Sequence, residues 1–435
     1  MIDLIIYISV IFLAVMVPTL YFVRYRRHQA RTRLQQETSV RTGMTEPVSL
    51  HPKIDPNKCI CSGGCTAACP EGGIIGILGG RAQLVSPTKC IGHGACMDAC
   101  PVEAITLVFG TETRGVDIPY VKKNFETNVP GIYIAGELGG MGLIRNAVTQ
   151  GKETVQYIAQ SLNSRSSDGF DLVIVGAGPA GLAAALQAKT ERLNTLLLEQ
   201  GDGVGGTILS YPRQKLVMTQ PMEIPLHGKF HKKEVAKEEL AKLWEMIARK
   251  SDLRMQGGEQ VVAVTPRNGH YLVQSNRGQY PARRVLLAIG RRGTPRRLGV
   301  PGEGSSKVAY KLMEPEQYRG RNLLVVGGGD SAVEAAVALA EQEGTRVSLS
   351  YRQDVFSRLK EKNRQALGRA VESGRVTTYL GSSVESIEPL AVNLRQGGSV
   401  STLENDYVFV FIGGELPTAF LQSIGISMER KFGQE

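Results

Sequence analysis

VIVGAGPAGLAAALQAKTERLNTLLLEQ, residues 173–200, decides the fold. An apolar run ends at Gly176, glycines return at 178 and 181, and a stretch of small apolar residues follows at helical length. A second apolar run closes on Glu199, 23 residues after Gly176. The order is strand, tight turn, helix, strand, acid. Glycines let the backbone turn sharply and approach a pyrophosphate, the helix N-terminus favours the anion, and the acid accepts from ribose hydroxyls. A glycine-rich turn in an unrelated α/β protein can show the glycines alone, but not the strand, helix and acid at these spacings. The stretch therefore reads as a dinucleotide site.

Working outward, NLLVVGGGDSAVEAAVALAEQEGTRVSLSYRQDVFSRLK (322–360) repeats the logic. Gly327 and Gly329 make the turn, Ala332 takes the third position, and a helix is expected from about Asp330. Ser350 stands where the acid would be, and Arg352, Arg358 and Lys360 follow. Cations there suit a ribose 2′-phosphate, so NADPH is expected over NADH, the alternative being a solvated basic face. Further apolar runs at 171–175, 194–198, 284–290, 322–326 and 407–413 alternate with helical stretches. That alternation predicts doubly wound α/β domains.

All seven cysteines fall between Cys59 and Cys100, crowding that indicates metal or cluster ligation rather than disulfides. CICSGGCTAACP (59–70) is echoed by CIGHGACMDACP (90–101). Each copy is C-x5-C-x3-C-P, which is not the paired spacing of a zinc ribbon. It resembles the two-cluster bacterial ferredoxin run, whose fourth cysteine serves the other cluster. The resemblance implies one iron–sulfur cluster on Cys59, Cys65 and Cys100 and another on Cys90, Cys96 and Cys69. The second position of the run holds Ser62 in one copy and His93 in the other, and Cys61 precedes Ser62. His93 could ligate, Cys61 could swing in, or either 4Fe-4S cluster could lack an iron and be 3Fe-4S; Ser62 and His93 could equally be space-filling.

The net charge is +10, but Arg24, Arg26, Arg27, Arg31, Arg33 and Arg41 all follow one apolar stretch, Ile2–Val23. No aromatic-interleaved basic patch exists to stack bases, so nucleic acid is excluded as a partner. Twenty-two largely apolar residues are long enough to cross a bilayer, and the arginines would stay cytoplasmic. The expectation is a single-pass inner-membrane anchor with the catalytic part on the cytoplasmic side.

With GGT at 205–207, LLAIG at 286–290, a nested second fingerprint and VFIG at 410–413, residues 112–435 resemble the low-molecular-weight thioredoxin reductase family, most closely its bacillithiol-disulfide-reductase-like branch. The resemblance implies FAD at the first site, held by Gly176, Gly178, Pro179, Ala180, Gly181, Glu199, Gly205, Gly206, Thr207, Ala288 and Gly290. It implies NADPH at the second, held by Gly327, Gly329, Asp330, Ser331, Ala332, Glu334, Arg352, Arg358 and Lys360. The family's paired arginine is broken here by Gln353. Its terminal flavin-binding strand and helix are missing after residue 435. FETNVPGIYIAGELGGMGLIRNAVTQGKETVQYI (125–158) looks like that piece moved forward, with Gly136–Glu137 where the family has Gly-Asp and with Arg145, Asn146 and Ala147 opening the helix. The flavin domain is thus read as circularly permuted.

The family's disulfide reductases carry Cys-x-x-Cys just before the second glycine turn. Residues 307–321 contain no cysteine, which excludes dithiol exchange there. The expected order is a transmembrane helix (1–23), basic linker (24–50), α+β ferredoxin-like domain (51–110), permuted flavin segment (111–165), FAD domain (166–293), NAD(P)H domain (294–403) and return to the FAD domain (404–435). The expected function is an oxidoreductase passing electrons from NAD(P)H through FAD to the clusters, then to a ferredoxin, quinone or membrane partner. The alternatives are a redox sensor of the NAD(P)H pool, or ferredoxin-to-NADP reduction. No general acid or base is called for, and the arrangement leaves room for a homodimer.

Overall fold

The computed structural model describes residues 2–41, 44–47, 50–112, 115–140, 142–162, 169–211, 215–219, 221–267, 269–291, 295–357, 359–415 and 417–433, without the side chains of 2–5, 8, 9 and 218. The chain forms two compact units, one drawn from Met1–Val108 and the other mainly from Phe109–Asp354 and Leu359–Gln434.

The first unit opens with α1 (Ile2–Arg41), a 40-residue helix. The helix does not stop where the apolar run ends: it carries all six arginines, and the segment expected as a linker from residue 24 is helical as far as Arg41. Its later turns dock on a hairpin of β2 (Ile75–Leu78) and β3 (Arg81–Leu84), where Ser39 Oγ donates to Val85 O at 2.9 Å. The expected inner-membrane anchor is corrected here: among the described residues, no helix is long and apolar enough to cross a membrane. Around the hairpin, β1 (His51–Ile54) pairs antiparallel with β4 (Ile105–Val108), and two short helices, α2 (Gly64–Ala68) and α3 (Ala95–Asp98), lie between. Ile74, Ile75, Ala82 and Ile105 share one small core with Cys65, Cys90 and Cys96.

The second unit begins with β5 (Val116–Pro119), β6 (Ile132–Ile134) and α4 (Ile144–Gln160), followed by β7 (Phe170–Val175), α5 (Pro179–Thr190) and β8 (Thr195–Leu198). Two small ribbons, β9 (Leu216–Met218) with β12 (Glu234–Ala236) and β10 (Met222–Ile224) with β11 (Gly228–Phe230), lead into α6 (Lys237–Lys250). Then come β13 (Met255–Gln256), β14 (Val261–Arg267), β15 (His270–Ser275) and β16 (Gln279–Leu287). One seven-stranded sheet runs β13-β8-β7-β16-β15-β14, with β6 as the seventh strand, paired to β16 off this path. β16 is long enough to serve three neighbours: β15 at its start, β7 along one edge, and β6 in parallel at Val285–Leu287. Alternation along β7 sends Leu172 and Ile174 to the helix face, with Val148, Val155 and Leu182, and Val173 and Val175 to the opposite face, with Leu421 and Ile426.

The nested domain is a five-stranded parallel sheet ordered β17-β24-β18-β19-β20. Its strands are β17 (Val308–Ala309), β18 (Asn322–Val326), β19 (Arg346–Tyr351), β20 (Val376–Leu380) and β24 (Tyr407–Val410). Helices α7 (Asp330–Ala340) and α8 (Glu361–Glu372) follow β18 and β19, and a meander, β21 (Ser382–Ile387), β22 (Ala391–Gln396) and β23 (Ser399–Glu404), packs on Leu324 and Val326. The chain then passes through α9 (Thr418–Ser423) to β25 (Met428–Lys431), which pairs antiparallel with β5. The last strand of this unit therefore lies on its first, with Asn128 accepting from Ser427 N and donating to Gly425 O, both at 2.8 Å.

At the entry to the nested domain, Glu303 is buried and accepts from Leu298 N (2.6 Å), Gly299 N (2.8 Å) and the Tyr310 hydroxyl (2.8 Å). Burial works to raise its pKa, but these donors outweigh it and hold the carboxyl below the usual range. A depressed folded-state pKa adds stability that is present above the unfolded value and lost as pH falls through the folded one. Glu303→Gln is expected to cost about 1–3 kcal/mol near pH 7. In thermal melts the gap to wild type should close in acid.

Candidate functional site

The first glycine turn joins β7 to α5. Gly176 has φ +100, and a Cβ there would lie 2.6 Å from Ala288 O, so the strand crossing leaves no room for a side chain. Gly178 faces open space, with nothing within 4 Å of a built Cβ, where an anion could reach the free amides of α5. Pro179 is the first residue of α5, its ring holding φ at a helical value. Gly181 backs onto the turn, a built Cβ standing 1.8 Å from Gly176 O. The second glycine pair sits against the first: Gly205 N donates to Ala177 O at 2.8 Å, Gly206 approaches Gly178 Cα, and Thr207 follows in a short 3-10 turn.

Glu199 is buried, and its partners include the protein itself. Oε2 accepts from Ala177 N at 2.6 Å and Oε1 from Gly201 N at 2.9 Å. It therefore buttresses the turn, and only the remaining lone pairs are available to the expected ribose hydroxyls.

The segment 125–158 reaches the same turn. Gly136 would place a Cβ 2.9 Å from the Ala180 Cβ and 3.8 Å from that of Ala147, and its N–H donates to Gln150 Oε1 at 2.8 Å. α4 begins at Ile144, so Arg145, Asn146 and Ala147 form its first turn. One turn on, Gly151 lets the two helices touch, since a Cβ there would be 2.1 Å from Ala180 O. Ala288 follows the carboxyl end of β16 against Gly176, and Gly290, two residues on, faces open space. Just beyond, burial pulls the pKa of Arg291 down, while the carboxylates of Glu137 and Asp117 oppose it. Sequence reading missed Gln150 and Arg291; Gln150 lay one turn beyond the residues already singled out.

The second turn repeats the geometry. Gly327 has φ +143, and a Cβ there would meet Phe411 O at 2.4 Å; Gly329 faces open space and Ala332 is buried. Ser350, in the acid's place, is buried and hydrogen-bonded to Ser382 Oγ at 2.8 Å. Arg352 and Lys360 are exposed, whereas Arg358 lies outside the described residues. Gly328 lies against the ring of Tyr351. Asp330 and Ser331 open α7. Asp330 Oδ1 accepts from Lys360 N (2.9 Å) and Asn363 Nδ2 (2.7 Å); Glu334 accepts from Asn363 (3.0 Å) and pairs with Lys215 (2.8 Å). These two acids organise the turn from beneath, through partners that sequence spacing did not reveal.

In the first unit the cysteines line two small cavities that are open to solvent on one side. Cys59, Cys61, Cys65 and Cys100 line one, and Cys69, Cys90, Cys96 and His93 line the other. Ser62 also faces the first. Among the described residues no three His, Cys, Asp or Glu side chains gather tightly enough for a single ion. Thiols standing around a hollow, rather than converging on a point, suit a cluster. Burial pushes Cys65, Cys90 and Cys96 up, Cys96 to about 11, while the Ala82 and Cys61 backbone amides hold Cys59 down. Iron binding must therefore displace protons from buried thiols.

Two glycine-turn sites on nested α/β sheets, in a chain that also carries a cysteine-lined unit, define a two-dinucleotide oxidoreductase with an iron–sulfur domain. Residues 173–433 match the pyridine nucleotide-disulphide oxidoreductase family, to which the chain belongs, and residues 51–101 match the 4Fe-4S dicluster domain. The chain is 28% identical to bacilliredoxin reductase Bdr of Bacillus subtilis, over 60% of this chain and 82% of that protein. It is 31% identical to a ferredoxin–NADP reductase of Ignicoccus hospitalis, over 60% and 83%. The bacillithiol disulfide reductase Bdr structure from Bacillus cereus superimposes with a TM-score of 0.54 at 25% identity, covering 60% of this chain and 82% of that one. The chain is an NAD(P)H-dependent flavin oxidoreductase whose cofactors are FAD, NADPH and iron–sulfur clusters, and it lacks the disulfide-reductase Cys-x-x-Cys.

Proposed function

We propose that this enzyme exchanges electrons between NADP(H) and a ferredoxin-type carrier. One observation carries the reading: residues 101–435 hold no cysteine, while every cysteine of the chain lines one of two cavities in the separate ferredoxin-like unit. A disulfide substrate would require a thiolate nucleophile, and the flavin-binding unit supplies none. The Ignicoccus relative, named as a ferredoxin–NADP reductase, favours the same carrier class.

In this reading FAD is held by the turn Gly176–Gly181, by Glu199, by Gly205–Thr207 and by Ala288 and Gly290. The segment 125–158 completes that site as a permuted part of the flavin domain. Its support is the parallel pairing of β6 with β16, the seating of Gly136 and Gly151 on Ala180, and the return of β25 to β5. The opening turn of α4 carries Arg145, Asn146 and Ala147, and the positive end of that helix favours the negative charge of a reduced flavin. Bound FAD supplies the conversion of a two-electron hydride into single electrons that iron–sulfur centres can accept. Cys59, Cys65 and Cys100 hold one cluster and Cys69, Cys90 and Cys96 the other.

NADPH lies on the Gly327–Ala332 turn with its 2′-phosphate toward Arg352 and Lys360. Buried Ser350 leaves no carboxylate to repel that phosphate. Arg352→Ala is expected to raise KM for NADPH about tenfold, roughly 1.4 kcal/mol, and to leave KM for NADH nearly unchanged. Steady-state kinetics with both nucleotides check this; equal effects on the two would remove the assignment.

The overall reading is tested by anaerobic titration. NADPH should bleach the flavin and then generate a paramagnetic iron–sulfur signal, with no turnover of low-molecular-weight disulfides. Iron–sulfur centres that stay oxidised while the flavin turns over with every acceptor would end the proposal.

A further inference from the structure

Among the places where the two cysteine repeats differ are the third and fourth, Cys61–Ser62 in one and Gly92–His93 in the other, and the structure shows what each carries there. The first cavity has a fourth sulfur on its wall, that of Cys61, beside Cys59, Cys65 and Cys100. Cys61 has φ +58, a left-handed conformation uncommon for a residue with a side chain. Its thiol donates to the Gly80 carbonyl and neighbours the Cys59 sulfur. Such an outlier points toward a functional demand on the position. Ser62, at the usual ligand position, faces the same cavity, but its Oγ is also near Gly64 N, at 3.5 Å.

The second cavity has no fourth sulfur. His93 lines it, with its side chain only 8% exposed, and Glu71 Oε1 lies 3.9 Å from Nε2.

We propose that Cys61 and His93 complete the two ligand sets, so that one cluster carries four thiolates and the other three thiolates and a neutral imidazole. The inference rests on the reading of this unit as a two-cluster carrier and adds the inequality of the two centres. Exchanging a thiolate for an imidazole leaves the second centre one negative charge less, which favours its reduction. Electrons taken up by the unit then reside first on the Cys69–Cys90–Cys96–His93 centre.

The test uses the full-length chain, purified anaerobically, with iron and sulfide content, Mössbauer spectra, redox titration and nitrogen couplings in 15N-histidine-labelled protein. Wild type should show two clusters of different potential and a histidine nitrogen coupling on the one reduced first. His93→Ala should abolish that coupling. His93→Cys, which restores a fourth thiolate, should keep both clusters and shift only the higher potential downward toward the other. Cys61→Ala should cost the other cluster about one iron and leave the nitrogen coupling intact, whereas Ser62→Ala should change neither. An unchanged nitrogen coupling in His93→Ala, unchanged iron in Cys61→Ala, or loss of iron in Ser62→Ala instead, would overturn the assignment while leaving a two-cluster unit standing. Wild-type protein that takes up no iron and sulfide would overturn both.

Discussion

Replacing Cys65 and Cys96 together by alanine is expected to abolish electron exchange with a ferredoxin-type carrier while sparing diaphorase activity toward a small artificial acceptor. The two residues sit in short helices, α2 and α3, each buried and each on the wall of a different cavity. Each substitution takes one thiolate from one centre, so neither cluster keeps its sulfur set. Ligation contributes folding free energy to small metal domains, so the first unit should lose order as well as iron. The flavin and nucleotide turns are built on other sheets, with their own cores, in the second unit. Flavin content and KM for NADPH should therefore stay near wild type. Anaerobic absorbance, iron analysis and paired assays with ferredoxin and ferricyanide decide it. Carrier reduction that persists without iron would mean that electrons leave the flavin directly.

Gly151→Val is expected to strip FAD from the protein and destabilise the second unit by about 3 kcal/mol or more. A Cβ at this position would stand 2.1 Å from Ala180 O, which is backbone and cannot rotate aside. α4 would have to lift from α5, pulling Gly136 and the Ile144–Ala147 turn away from the glycine turn at Gly176–Gly181. Burial of Val148, Val155 and Ile158 would be loosened at the same time. Gly151→Ala should show a smaller loss of the same kind, because its single methyl meets the same carbonyl without a branched pair of methyls behind it. Flavin-to-protein ratio and thermal melts read both variants. A Gly151→Val protein with full flavin would show that 125–158 stands apart from the cofactor, and the permuted reading would be withdrawn.

Both nucleotide turns were legible because their requirements are local. Gly176 and Gly327 must turn at positive φ under a neighbouring strand, and an apolar strand before and a helix after make that requirement visible in a single line of residues. β7, α5, β18 and α7 fall where these patterns put them. The N-terminal helix was misread for the opposite reason. Hydropathy alone makes Ile2–Val23 look self-contained, whereas the helix runs unbroken to Arg41 and its later turns are bound to the hairpin at Val85.

By itself, the sequence determined the two glycine turns, the absence of an acid at Ser350, the confinement of every cysteine to residues 59–100 and the missing Cys-x-x-Cys. These are matters of spacing and composition, which no folding can alter. Tertiary structure alone decided which residues meet across long separations. It lays Gly151 on Ala180, and turns Glu199 onto Ala177 N and Asp330 onto Asn363. Side chains at these positions are chosen by partners tens of residues away, and the balance between serving the backbone and serving a ligand is struck only once packing has brought both within hydrogen-bond reach.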